Sequence, residues 1–501
     1  MIDLRVKAQL DQADTELALK NIIRENLAFQ AMATFTGGVF IVAFASELGA
    51  TNFFIGLIAA IGPFAQLLQI PAIFLVDRLQ NRRLICVVAT IIARLMWPLI
   101  ALLPFVLIGP AALPFLLVGL GLHSGFAAIS NCSWGSWMRD VIPQDRMGAF
   151  FARRMLLSAI VGMILNVLAG AYIDSWERVF PSAPLIGYSL MFTVGGIIGI
   201  LGVCLFTARI PEPRLTPSQG KVFSLLAQPF RDTNFRNLMI FEGTWNFAMN
   251  LAGPFFTVYM LQWLNFDLTS IVLLATLSQI TNILFIRTWG RLVDQYSNKA
   301  VLSFCAGIMI ACVFLWTFAT LPERYLLTVP ILVLIHVASG IASAGVGLAS
   351  GNMGLKLAPR GQATAFLAAR SLINSLAATV APILGGHFAD LFKDAELALT
   401  LTWTSPGQSF ALQTLDFQHW DFFFFLAFLI GMYALFRLTL VQESGDVTNR
   451  VVVMELMTEM KRGMRNFSTI KGLYQIIYFP FSLLRDTTRE DENKQPEIQP
   501  P

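Results

Sequence analysis

Apolar residues run through this chain in stretches of about twenty, separated by short polar or charged turns. Each stretch is long enough to cross ~30 Å of hydrocarbon as a helix. They fall near residues 26–47, 54–76, 83–106, 112–138, 149–173, 185–208, 237–262, 269–292, 300–320, 326–352, 362–388 and 419–441, about twelve in all. The stretches at 112–138 and 326–352 are the weaker ones, each open to being one span or a broken one. The expected fold is an all-α membrane protein of two six-helix bundles, 1–209 and 236–442. A polar linker at 210–235 joins them, and a tail follows at 443–501.

The two halves say the same thing twice. Pro143, Ala149, Phe150, Ala152, Arg154, Gly170 and Asp174 recur 216 residues later as Pro359, Ala365, Phe366, Ala368, Arg370, Gly386 and Asp390. With one residue of slip, Glu25, Ala31, Met32, Asp77 and Asn81 recur as Glu242, Ala248, Met249, Asp294 and Asn298. Two related halves meeting in a bilayer are a common transporter plan, with the substrate path between them.

Composition agrees with a membrane protein. Mean hydropathy is +0.65, and 13% of residues are charged, against about 25% in soluble domains. With both ends in the cytoplasm, the outward loops hold only Arg178, Arg324 and Lys393 of the 35 Lys and Arg, as the positive-inside rule requires. The net charge of +4 therefore describes topology and gives no support for nucleic-acid binding. The charged run up to Asn26 does not read as a cleavable signal. All five cysteines fall inside spans without metal-ligand spacing, and read as packing residues. The expected location is the plasma or bacterial inner membrane, crossed many times.

Outside the spans, residues 1–22 read as a short cytoplasmic lead, an amphipathic helix on the membrane surface. The outward loop at about 389–418 is uncharged over most of its length and is expected near the headgroups. In the tail, Val453, Leu456, Met457, Met460, Met464 and Phe467 recur at helical spacing among charges, an amphipathic pattern suited to the inner leaflet. A cytosolic partner docking on this tail is the other reading of it. Disorder is expected after Arg485.

The turn after the second span reads FLVDRLQNRRLI, and its copy in the second half reads GRLVDQYSNKAVL. Both resemble the signature loop of the major facilitator superfamily: a glycine, an aspartate, then a basic cluster between the second and third helices. WGSWMRDVIPQDRMGAF also looks like the fourth-to-fifth helix turn of many bacterial members. The resemblance covers about 26–441. Ile73 stands where the family's leading glycine is expected, whereas Gly290 keeps it in the second copy. The family's fourth-helix arginine has no counterpart in LLVGLGLHSGFAAIS, and ILNVLAGAYID lacks the fifth-helix Gly-Pro of drug antiporters. Both departures weigh against a drug–proton antiporter.

The resemblance implies a cytoplasmic gate built on these turns. Asp77 and Asp294, at helix ends, would pair with guanidinium groups and with the positive N-termini of the eleventh and fifth spans. Arg154 and Arg370, one to two turns inside those spans, are the candidate partners, and Arg78 and Arg82 belong to the same turn. Arg82 and Arg83 also read simply as charges that snorkel and fix orientation.

Ionisable groups inside a bilayer cost at least ~2.5 kcal/mol near the centre and call for an explanation. Glu242, Asn246 and Asn250 form one stripe of the seventh span, with Trp245 beside it and Gly253-Pro254 following. Asn26, Gln30 and Thr34 form the matching stripe of the first. The resemblance places both stripes on the central cavity; interhelical hydrogen bonding is the rival reading. Arg94 lies mid-span, suited either to an anionic substrate or to a buried partner. His123 and His336 are central in the fourth and tenth spans, as proton carriers or as hydrogen-bonded core residues. Asn131 and Asn282 complete the candidate pathway.

There is no glycine-rich Lys-Ser/Thr phosphate loop, no catalytic constellation, and no cofactor or metal signature. The expected activity is secondary-active transport of a small organic solute by alternating access, coupled to protons through Glu242 with a histidine as second station. A drug or metabolite efflux permease and a non-transporting receptor or assembly scaffold are the alternatives.

Overall fold

The computed structural model describes residues 10–443, apart from 144–145, 215–227, 296, 321–325, 360–362, 406–407 and 419. The amphipathic tail therefore lies outside the described residues, as does the middle half of the linker.

Ten helical segments are long and apolar enough to cross a membrane. The first is α1 (Gln12–Thr36) continued by α2 (Gly38–Glu47), with Gly37 between them and Gly38 at φ +56° opening α2. The others are α5 (Arg82–Ala101), α6 (Leu113–Val141), α7 (Met147–Val179), α8 (Pro184–Leu205), α10 (Leu268–Gln295), α11 (Asn298–Leu315), α12 (Thr328–Leu357), α13 (Ala363–Leu391) and α14 (Trp420–Thr439). Two more cross beside them. The second span is interrupted, α3 (Asn52–Gln66) then α4 (Gln69–Leu79), and α9 (Thr233–Val258) carries the polar stripe that lowers its hydropathy. That makes about twelve crossings in two sets of six. Of the two alternatives for the weaker spans, the unbroken one holds, since α6 and α12 are continuous.

Short polar side chains start many of the helices. Asp11, Thr51, Asn81, Asp232 and Ser297 each accept a first-turn backbone N–H, satisfying donors that the helix itself cannot. Glycines let neighbouring helices touch, as expected where lipid gives no hydrophobic drive for association. A Cβ on Gly199 would lie 2.5 Å from Met32 Sδ, and one on Gly340 would lie 2.0 Å from Thr281 Oγ1. Large apolar side chains such as Phe64, Leu168 and Phe436 remain more than half exposed, the surface that lipid covers.

Two expectations change. Residues 12–36 are one helix, with Ala18 and Ile22 fully buried in a cluster with Cys86, Trp137 and Ile210. The lead is thus an extension of the first span packed on its own bundle, not a separate surface helix. The loop near 389–418 contains an antiparallel hairpin, β1 (Glu396–Ser405) and β2 (Gln408–Gln418), with Trp403 opposite Phe410. Its first strand, ELALTLTWTS, alternates apolar and polar residues, a period-two signal hidden inside a loop assignment.

The helices alternate in direction. One end of the molecule, where α1, α5, α7, α9, α11 and α13 begin, carries Arg82, Arg83, Arg139, Arg146, Lys299 and Lys356; it is called the basic face below. The opposite end is the far face.

Candidate functional site

A cavity of about 510 Å³ lies between the halves, lined by Gly62, Pro63 and Gln66 of α3, Asn246 of α9, and Leu367, Arg370, Ser371, Asn374, Ser375 and Ala378 of α13. Its strongest electrostatic feature is an ion pair. Arg370 Nε donates to Glu242 Oε2, while its Nη2 donates to Ser350 O (3.0 Å) and Ser350 Oγ (2.9 Å). Glu242 also accepts from Ser350 Oγ at 2.8 Å and Asn374 Nδ2 at 3.1 Å. Its side chain is 2% exposed and that of Arg370 16%, so the cation meets the cavity and the carboxylate stands behind it. Gly354 makes room: a Cβ there would lie 2.2 Å from Arg370 Nη1.

The polar stripe divides. Asn246 reaches the cavity, but Asn246 and Asn250 each return a side-chain N–H to the carbonyl four residues back, at 2.8 Å. Trp245 belongs instead to the apolar core of the second bundle, packed on Phe241 and 8% exposed. A residue one step from Asn246 points to a different side of the helix, which puts Trp245 off the expected pathway.

The equivalent region of the first bundle is wired differently. Arg94 is 3% exposed, with Nη2 donating to Glu25 Oε1 at 2.6 Å and Nη1 donating to Gly199 O. It is a buried partner within its own bundle rather than a group presented to a substrate. Arg154 Nε donates to Asn26 Oδ1 at 2.8 Å, its guanidinium lies 6.0 Å from the Trp134 ring centre, and Asn26 also donates to Ser158. Gln30 Nε2 donates to Thr34 Oγ1 at 3.3 Å, and Thr34 is buried. Asn131 is exposed on α6.

His123 Nδ1 is 2.8 Å from Ala93 O and packs edge-on to Trp97; His336 Nδ1 is 2.7 Å from Leu332 O and packs on Trp316. Both have the surroundings of hydrogen-bonded core histidines. Asn282 Nδ2 donates to Ser343 Oγ at 2.9 Å, tying α10 to α12 inside the second bundle.

At the basic face, Arg78 and Asp294 are exposed, and the side chain of Asp77 lies outside those described. Arg154 and Arg370, the expected partners of these aspartates across the halves, are occupied within their own bundles by Asn26 and Glu242. Arg82 does not snorkel: it is fully buried. Its backbone N–H donates to Glu212 Oε1 (2.7 Å), its Nη1 to Asp140 Oδ2 (2.5 Å) and its Nη2 to Pro213 O (2.9 Å). Arg83 N donates to Glu212 Oε2 at 3.0 Å, so a carboxylate following the sixth span caps the third. The second bundle does the same. Glu443, following the twelfth span, accepts from Lys299 N (2.8 Å) and Asn298 Nδ2 (2.7 Å) at the start of the ninth, and from Lys356 Nζ (2.8 Å). Burial raises the Glu443 pKa, and these donors outweigh it, leaving the carboxyl below its ordinary range.

Hydrogen bonds join the two halves at the far face, for which the sequence carries no expectation. Asp174 at the end of α7 accepts from Leu268 N (3.0 Å), Thr269 N (2.8 Å) and Thr269 Oγ1 at the start of α10. Asp390 at the end of α13 accepts from Asn52 N (3.2 Å), Asn52 Nδ2 (2.9 Å) and Phe53 N (2.9 Å) at the start of α3. Gly170 and Gly386, one turn earlier on the same faces, admit the partner helices: a Cβ on Gly386 would lie 2.3 Å from Asn52 O, and one on Gly170 3.2 Å from Thr269 Cα. Both aspartates were among the repeated residues, but each is a lone carboxylate at a span end until the packing gives it a partner.

Residues 238–451 match the sequence model of the Major Facilitator Superfamily. That match falls on the second half of the chain. Among solved structures, that of a mutant form of the nucleoside transporter NupG superposes with a TM-score of 0.64 at 13% identity, over 84% of this chain and 100% of that one. A bacterial homologue of the iron transporter ferroportin, in an inward-facing state, gives 0.58 at 12% identity, over 87% and 100%. A POT family transporter in complex with 5-aminolevulinic acid gives 0.55 at 14% identity, over 88% and 100%. No curated protein sequence matches the chain. These likenesses show the fold, and the ten long apolar helices make the chain a multi-pass membrane protein.

Proposed function

We propose that this transporter moves a small polar organic solute by alternating access, driven by a proton gradient through Glu242. The observation that carries the reading is the Glu242–Arg370 pair at the wall of the cavity between the halves. While Glu242 is ionised it occupies Arg370. A proton on Glu242 neutralises that partner and leaves the guanidinium seeking another acceptor, which a carbonyl, carboxylate or similar group of the solute supplies. Proton and solute then enter the site together, and neither leaves a bare charge in a low-dielectric interior. Gln66, Asn246, Ser371, Asn374 and Ser375 provide further neutral donors and acceptors.

The basic face is assigned to the cytoplasm by the distribution of Lys and Arg, and the membrane to the plasma or bacterial inner membrane. With the far face closed, the structure is then an inward-facing state. A thermal-shift screen of the purified protein against nucleosides, amino acids and small carboxylates identifies a cargo by stabilisation. In proteoliposomes, Glu242→Gln is expected to abolish accumulation driven by a pH gradient while retaining exchange of internal for external cargo. Unchanged pH-driven accumulation in that variant sinks the coupling role.

A further inference from the structure

The far-face contacts are copies of one another, and they differ in kind from the other capping carboxylates. Glu212 and Glu443 each cap a helix of their own bundle, whereas Asp174 and Asp390 each cap a helix of the opposite one. Both use two consecutive backbone N–H groups at a helix N-terminus, where helix polarity favours an anion. Each is preceded one turn earlier by a glycine on which the partner backbone rests.

The α3–α13 pair separates toward the basic face, where the polar cavity lies between the two helices. On α3, a Cβ at Gly56 would lie 2.1 Å from Pro382 O of α13, while one at Gly62, beside the cavity, meets nothing within 4 Å. The α3–α13 and α7–α10 pairs are therefore joined at one end, and α3–α13 diverges at the other. Opening the far face means pulling α10 from α7 and α3 from α13, which breaks both caps.

We propose that Asp174 and Asp390 are the paired far-face latch of this transporter, holding the state seen here and releasing together when the far face opens. The inference rests on the alternating-access reading, not on the coupling role of Glu242. The chemistry suits a contact made and broken in every cycle. Each carboxylate faces neutral N–H and O–H donors rather than a cation, and both aspartates are half-buried. Release thus strands no opposite charge, and water replaces the lost donors on the carboxylate. Gly170 and Gly386 define how close the halves come, and the aspartates hold them there.

Cysteine accessibility in the full-length protein tests this without any cargo. Thr257 lines an apolar cavity of about 360 Å³ between α2, α3 and α9 near the far face, and Ser375 lines the polar cavity. A membrane-impermeant maleimide is applied to Thr257→Cys from the far side and to Ser375→Cys from the basic side, with unmodified protein as baseline. In Asp174→Ala/Asp390→Ala protein, Thr257→Cys labelling is expected to rise about tenfold, as loss of two caps implies, and Ser375→Cys labelling to fall. Gly386→Val, which wedges the α3–α13 contact without touching a carboxylate, is expected to shift both rates the same way. If the double variant fails to fold, the single Asp→Ala variants carry the test with about a threefold rise. Unchanged labelling in folded aspartate and glycine variants overturns the latch. Failure of the Glu242 role appears only in pH-driven uptake, so the two are told apart.

Discussion

Arg94 Nη2 donates to Glu25 Oε1 at 2.6 Å, and this bond makes the two bundles electrostatically unlike. Glu25 stands where Glu242 stands in the second half, but the second half has only Ile310 and Ala311 where Arg94 would recur. Glu25 is therefore held by Arg94, and Arg154 is left with the amide of Asn26. Arg370, the repeat of Arg154, takes Glu242 instead. One half stores its ion pair in the bundle core, and the other sets it at the wall of the cavity.

This asymmetry predicts a stability result. Removing one member of a buried pair leaves an uncompensated charge, at a cost of about 3–5 kcal/mol, whereas replacing both is far milder. Arg94→Met is expected to lower the unfolding temperature in detergent markedly, and Glu25→Gln/Arg94→Met to recover most of the loss. A double variant no more stable than Arg94→Met would show that the arginine acts through packing on the α8 glycines Gly199 and Gly202 alone.

Glu443 predicts a pH dependence. Its carboxyl is held below the ordinary carboxylate range by Asn298, Lys356 and the Lys299 N–H, which outweigh the effect of burial. A depressed folded-state pKa contributes stability that is fully present above the unfolded value and is lost as pH falls through the folded one. The wild-type unfolding temperature should therefore decline as pH drops below the ordinary carboxylate value near 4.5. Glu443→Gln should start lower at neutral pH and decline less over that acid limb. Parallel curves for the two proteins would remove Glu443 as the source.

Gly340 predicts a packing cost. Its missing Cβ is where Thr281 Oγ1 and Ser278 O of α10 lie, at 2.0 and 2.2 Å from the position a Cβ would take. Backbone atoms cannot swing aside as a flexible side chain can. Gly340→Val is expected to cost about 1–3 kcal/mol by overpacking, read as a lower unfolding temperature. Gly307→Val, with open space at the same atom, serves as the matched control.

Much of the architecture was legible in the sequence because lipid imposes a long apolar run on every crossing. The repeat of Arg154 as Arg370 and of Glu25 as Glu242 marked the polar centre of each bundle. Partner choice was not legible. Nothing in the spacing says that Glu242 meets Arg370 while Glu25 meets Arg94, since helices distant in sequence bring those groups together. Arg82 misled for a related reason: beside Arg83 in a turn it resembles a solvated charge, and only Glu212, 130 residues away, reveals a buried clasp. Trp245 was misplaced by one position of helix rotation. Asp174 and Asp390 were visible as repeats, yet carboxylates that bind backbone N–H groups leave no complementary side chain to search for.

The clasp at Glu212 also bears on how the protein is made. Its two halves, the third helix and the segment just past the sixth, are both synthesised before any of the second bundle exists. The first bundle can thus be locked as soon as residue 212 has emerged, and the second repeats the step with Glu443 near the end of its own run. Each unit closes on its last-made segment, a sequence of events that keeps half-finished helices of one unit from being captured by the other during insertion.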